Sequence, residues 1–167
     1  MPSYVMHIAI AQEYLKRHKE DREQFINGTI FPDVTTDKSL THYGKSPAYT
    51  SLKRFLENNK LDNSFIKGHF LHLITDYLFY NKYLDRLVKD ILYNDYDILN
   101  KDLIEKYEVI LPENVLDKIF YKTGNALILN MELACRVIDE ISKLEIEIVE
   151  KEVKSDMQEW NIYKKLI

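Results

Sequence analysis

The clearest chemical pattern in the chain is the segment Gly68-His69-Phe70-Leu71-His72-Leu73-Ile74-Thr75-Asp76. On a helix, residues four apart project from one face, so His72 and Asp76 can share a metal ion. His69, three residues before His72, lies on that face too. A histidine with further nitrogen or oxygen donors converging in an apolar helix suits zinc or another borderline divalent cation. The same spacing also serves a core His–Asp hydrogen bond that orients a buried imidazole.

The chain holds only five histidines, at positions 7, 18, 42, 69 and 72, all in its first half. His7 lies between Tyr4 and Ala11, beside the apolar stripe of a first helix, as a satisfied core residue or as a ligand. Asp33 follows Pro32 in an otherwise apolar segment, where it is a turn residue or a further donor. His42, in Leu40-Thr41-His42-Tyr43, is a loop histidine or a third imidazole ligand. His18, flanked by Lys16, Arg17 and Lys19, reads as a solvated helix end favourable to the helix dipole and stands outside the set.

These residues need elements to position them. With only four glycines and four prolines, the pattern predicts long helices joined by a few definite loops. Ser3 caps a first helix that runs to about His18, with Tyr4, Ile8, Ala11 and Leu15 as its apolar stripe. A loop from Asn27-Gly28 through Phe31-Pro32-Asp33 to Tyr43-Gly44 carries Asp33 and His42. A short helix follows from Ser46-Pro47 to Leu56. The central helix spans about 63–93, and its first half is apolar on nearly every side, as suits the middle of a bundle. Further helical pattern covers Ile98–Tyr107, Pro112 to Leu129 and Asn125 to Leu144. Leu144–Ile148 alternates like a strand, but its neighbours favour helix. The expectation is an all-α, single-domain helical bundle over 1–167.

Composition narrows the function. The chain has 167 residues, 46% of them hydrophobic and 30% charged, which is a globular mix long enough for one core. Its formal net charge of −4 argues against non-specific nucleic-acid binding. Cys135, the single cysteine, lies in an apolar run and reads as a small buried hydrophobe, so thiolate-rich zinc sites are excluded. No stretch reaches the ~20 apolar residues of a membrane span. No signal peptide is visible before His7, so the expected location is cytoplasmic. Trp160, Ile162, Tyr163 and Leu166 offer either an amphipathic contact surface or a tail that packs back on its own domain.

The order of these segments resembles the zinc-dependent phospholipase C family, whose helical fold is shared with single-strand-specific zinc nucleases. The matching pieces are Met1-Pro2-Ser3 leading to His7, the Gly28-x-x-x-Pro32-Asp33 loop, Thr41-His42-Tyr43, and the Gly68-x-x-x-His72-x-x-x-Asp76 helix. Small bacterial members look like this, and the likeness covers roughly the first 80 residues. The resemblance implies that Asp33, His42, His72 and Asp76 hold one zinc, with Asp76 bridging to a second metal held partly by His7. The full enzymes add a further His and a His-x-x-x-Glu helix for a third metal. No histidine follows His72 here, leaving His69 as a spare imidazole and Glu132, which could instead pair with Arg136, as the next candidate.

The function so implied is metal-assisted hydrolysis of a phosphoester, a small one or a phospholipid, through a metal-activated water. Asp33 resembles the family carboxylate that orients or deprotonates that water, and His69 could protonate the leaving group or position the substrate. A rival is a non-catalytic metal protein whose site ties the first helix and the long loop to the central helix. An HD-type metallophosphohydrolase ranks third, because it needs an adjacent His-Asp pair and the sequence has none.

Overall fold

The computed structural model describes residues 2–165 and is all-helical among them. The predicted fold class is what the structure has. Ser3 caps α1 (Tyr4–Leu15), its side chain accepting the Met6 amide at 3.2 Å. α1 ends three residues short of the expected His18. Beyond it, His18 is not merely solvated: its ring stacks on Tyr14 at 3.8 Å and its Nε2 lies 2.7 Å from Glu145 Oε2.

The largest departure lies in the expected loop. α2 (Arg22–Val34) runs through Gly28 and Pro32 up to Asp33 and Val34. Phe25, Ile26, Thr29 and Ile30 recur at helical spacing on its buried face. Pro32 has no N–H to give, so the helix tolerates it one turn from its end, where few ladder bonds are lost. A five-residue helix, α3 (Lys38–His42), follows and ends at Tyr43 in the left-handed region. The expected helix from Ser46 is a 3-10 turn, Pro47–Tyr49, followed by α4 (Leu52–Asn58).

α5 (Ser64–Leu78) is the central helix, capped by Asn63 and buried from Gly68 through Tyr77. Its main partner is α2, and the two backbones nearly touch. A Cβ on Gly28 would collide with the Phe65 carbonyl, and one on Gly68 with the Phe25 carbonyl. Only glycine permits this approach. α5 does not reach residue 93 as expected. Phe79–Tyr83 widen into a π-turn, in which the Leu84 amide donates to the Phe79 carbonyl at 2.9 Å. Leu84 then turns extended and fully buried.

The chain resumes as α6 (Lys89–Tyr107), which packs on α1. Pro112 opens a 3-10 stretch, Glu113–Lys118, instead of the expected helix to Leu129. Residues 119–130 are irregular, because α6 captures their backbone. Asp95 accepts the amides of Leu127, Ile128 and Leu129 at 2.7–2.9 Å. α7 (Met131–Ile141) and α8 (Ile146–Lys154) complete the fold, so Ile146 and Ile148 are helical and not strand. Cys135 is buried as expected, while Arg136 pairs with Glu140 and not with Glu132. The tail folds back: Trp160 is buried, its indole N–H reaching Glu152, and the Tyr163 hydroxyl donates to the Thr50 carbonyl. Leu166 lies outside the described residues. No helix among them is long and apolar enough to cross a membrane.

Candidate metal centre

α1, α2, α3 and α5 meet at one buried point, and each delivers a donor to it. Two overlapping sets form, His7–His72–Asp76 and Asp33–His42–His72, with the ligand atoms of each set within 4.8 Å of one another. All five of these residues are at most 4% exposed, and His42, His72 and Asp76 not at all. Glu132 is exposed on the first turn of α7, where it contributes nothing here.

The imidazoles are aimed by main-chain carbonyls. His72 Nδ1 donates to the Thr29 carbonyl at 2.7 Å, and His42 Nδ1 to the Lys38 carbonyl at 2.8 Å. His42 is held further by its own carbonyl, which accepts the Thr50 hydroxyl at 2.7 Å. A neutral ring that donates through Nδ1 has a bare lone pair at Nε2. The two Nε2 atoms nevertheless face each other at 3.2 Å. Asp76 Oδ2 lies 3.1 Å from His42 Nε2 and 3.3 Å from His72 Nε2. Lone pairs that converge in this way repel unless a cation stands among them.

Asp76 faces both sets. Its Oδ1 is 3.2 Å from His7 Nε2, and the His7 ring stacks on His72 with centroids 3.8 Å apart. Asp33 lies farther out, with Oδ1 3.5 Å from His42 Nε2 and Oδ2 3.8 Å from His72 Nε2. These approaches are not aligned hydrogen bonds. Of the eight buried side-chain polar atoms lacking a hydrogen-bond partner among the described residues, six belong to His7, Asp33 and Asp76. At about 1–3 kcal/mol for each unsatisfied polar group, the cost is on the order of 10 kcal/mol, comparable to the whole stability of a domain. One proton on His42 would relieve its contact with Asp76 or His72, but leaves Asp33 and His7 unanswered. The donor set therefore fits a metal ion better than a proton.

The electrostatics agree for three of the five donors. Burial drives His7 and His72 below the ordinary imidazole value, against the pull of Asp76. Burial alone would raise Asp76, but His72, His42 and His7 together hold it well below the usual carboxylate range. Burial also depresses His42, yet Asp76 and Asp33 outweigh it and the ring is shifted up. Asp33 goes the other way: burial keeps its carboxyl above the usual range. His7, His72 and Asp76 are thus held toward neutral imidazole and ionised carboxylate, the forms in which these groups bind metal, while His42 and Asp33 are shifted toward the protonated form.

His69 lies outside both sets. Its Nε2 donates to the Thr41 carbonyl at 2.8 Å, and its ring sits between Phe31 and Phe55. Burial lowers it to about 4, so it is neutral at pH 7 and carries no spare proton. It pins the Thr41–His42 backbone to α5. Three neighbours were silent in the sequence. The Tyr4 hydroxyl donates to the Asp33 carbonyl at 2.9 Å, and Lys38 Nζ lies 3.8 Å from Asp33 Oδ1. Tyr93 is held above its ordinary range by burial and then by the Asp33 charge. Residue spacing could not reveal them, because it is the folded arrangement that brings each within the influence of Asp33.

Compared with known proteins, the chain matches no family model, no curated protein and no solved structure.

Proposed function

We propose that the protein is a zinc-dependent hydrolase acting on a phosphoester. The observation that carries this reading is the pair of bare Nε2 atoms of His42 and His72, facing each other and Asp76. The resemblance to the zinc-dependent phospholipase C family supplies the reaction class, and its segments coincide with the residues that converge.

His42, His72, Asp33 and Asp76 would hold one ion, and Asp76 with His7 a second. Such an ion lowers the pKa of a bound water and neutralises phosphoryl oxygens. The chain's own residues do the rest. The Thr29 and Lys38 carbonyls fix the imidazole tautomers, so the donors are oriented before any ion arrives. Asp33 is suited to take a proton from water, because burial makes its carboxylate a stronger base. His69 acts by holding Thr41 and so positioning His42.

A structural metal site is the second reading, favoured by the complete enclosure of His42, His72 and Asp76. Elemental analysis of protein purified without chelator, paired with hydrolysis of phosphomonoester and phosphodiester substrates, separates the two. We expect about one to two zinc ions per chain and metal-dependent turnover, with both lost in His72→Ala and Asp76→Ala. Zinc without turnover supports the structural site, and turnover without metal sinks both readings.

A further inference from the structure

The five donors are enclosed, so in the folded chain an ion reaches them only if an element that carries one of them opens. Three of the four elements resist this. α1 is buried without interruption from Val5 through Gln12, and α5 from Gly68 through Tyr77. α2 is locked to α5 where Gly28 and Gly68 bring the two backbones together. Lifting any of these exposes apolar core, at a cost that approaches global unfolding.

α3 differs. It is a single turn of five residues, of which only Thr41 and His42 are buried, and its Leu40 stands 72% exposed. A turn this short has no helical stability of its own. The backbone is extended at Thr35 and Asp37 before it and left-handed at Tyr43 after it, so the helix continues into neither neighbour. What fastens α3 is a handful of polar contacts. The Thr41 hydroxyl donates to the Pro32 carbonyl at 3.0 Å, and the Thr41 carbonyl accepts His69 at 2.8 Å. The His42 carbonyl accepts the Thr50 hydroxyl at 2.7 Å and the Ser51 amide at 3.3 Å. Lys38 Nζ lies 3.8 Å from Asp33 Oδ1. Groups released from such contacts are taken up by water when the turn lifts, so each adds little to the net cost of opening.

We propose that α3 is the gate of the metal centre: His7, Asp33, His72 and Asp76 form a fixed half-site, and His42 arrives last, as α3 closes over the ion. The facing Nε2 atoms of His42 and His72, 3.2 Å apart, are then the contact that opening breaks and an ion draws together. This inference rests on the metal-centre reading and is independent of hydrolysis.

The test joins zinc exchange kinetics to amide hydrogen exchange in the full chain. The Ser51 amide donates across the gate, so it reports opening directly. It should exchange faster than the amides of α1 and α5, and zinc should slow it. Thr50→Val removes a bond made only when the gate is shut, with or without the ion. Zinc uptake and zinc release to a chelator should therefore both quicken, by roughly fivefold, with Kd nearly unchanged. Thr50→Ser should restore the wild-type rates. Faster release at unchanged uptake signals a loosened site and overturns the proposal, as do α1 or α5 amides that exchange together with Ser51. If Thr50→Val does not fold, the wild type still decides: a Ser51 amide protected as deeply as α5 while zinc exchanges freely removes the gate. A wild type that binds no zinc removes the metal centre and the gate together. The expected exchange behaviour without phosphoester turnover supports the gate and removes only the hydrolase.

Discussion

At the scale of single residues, the cluster is oriented by backbone carbonyls that were in place for other reasons. His72 is directed by Thr29 and His42 by Lys38. His72 and Asp76 were legible from their helical spacing, whereas Asp33, His42 and above all His7 were singled out only through the order of segments in the family resemblance. Their supports were not, since a carbonyl carries no residue identity. His18 shows the same limit: its basic neighbours read as a solvated end, but Glu145 arrives from α8. Burial pulls the His18 pKa down, and the Glu145 carboxylate and Tyr14 carbonyl more than restore it, so it stands raised. A raised histidine stabilises the fold fully below its unfolded value near 6.5, and the contribution disappears as pH rises through the folded value. Melting curves of wild type and Glu145→Gln should therefore differ below pH 6 and converge by about pH 9. A constant difference would remove the ion pair as the cause. The effect should be small, because the contact is largely solvated.

At the scale of elements, the close approach of α2 to α5 decides whether the site exists. Asp33 rides on α2 and both His72 and Asp76 on α5, so the separation of these helices is a coordinate of the site. Gly68→Ala drives a methyl group into the Phe25 carbonyl, which cannot move aside as a flexible side chain would. The expected cost is about 3 kcal/mol, at the upper end for an overpacked core, together with weakened zinc affinity. Denaturant titration and a competitive chelator assay read the two effects, and unchanged values in both would refute the argument. The start of α5 was legible from Asn63 and its apolar run. The reach of α2 was not, since Pro32 and Gly28 look like loop punctuation, although a terminal proline and a packing glycine are both compatible with helix. The break after Leu78 has no glycine or proline to announce it. It leads directly into the extended, buried Leu84.

At the scale of the whole molecule, the donors come from residues 7–76, while α6 and the segment after Pro112 build the wall beside them. Helical periodicity made the all-α class legible. The apolar run 126–129 suggested a helix only because nothing local reveals that Asp95 will take its amides. If zinc binds the folded chain alone, a hundredfold excess over Kd adds about 2.7 kcal/mol. For a chain of this size that is roughly 5–10 °C in Tm. The rise should vanish with chelator and in His72→Ala, and a wild-type Tm indifferent to zinc would argue against a metal centre. The hold of Asp95 and Asn100 on residues 120–129 has a different kind of consequence. Those bonds end on main-chain atoms, so they make no demand on which side chains the segment carries. Substitutions at Phe120, Tyr121 or Leu127 can accumulate without unfastening the wall. The side chains of this strip are thus free to vary, by drift or by design, while α6 keeps its hold on the backbone.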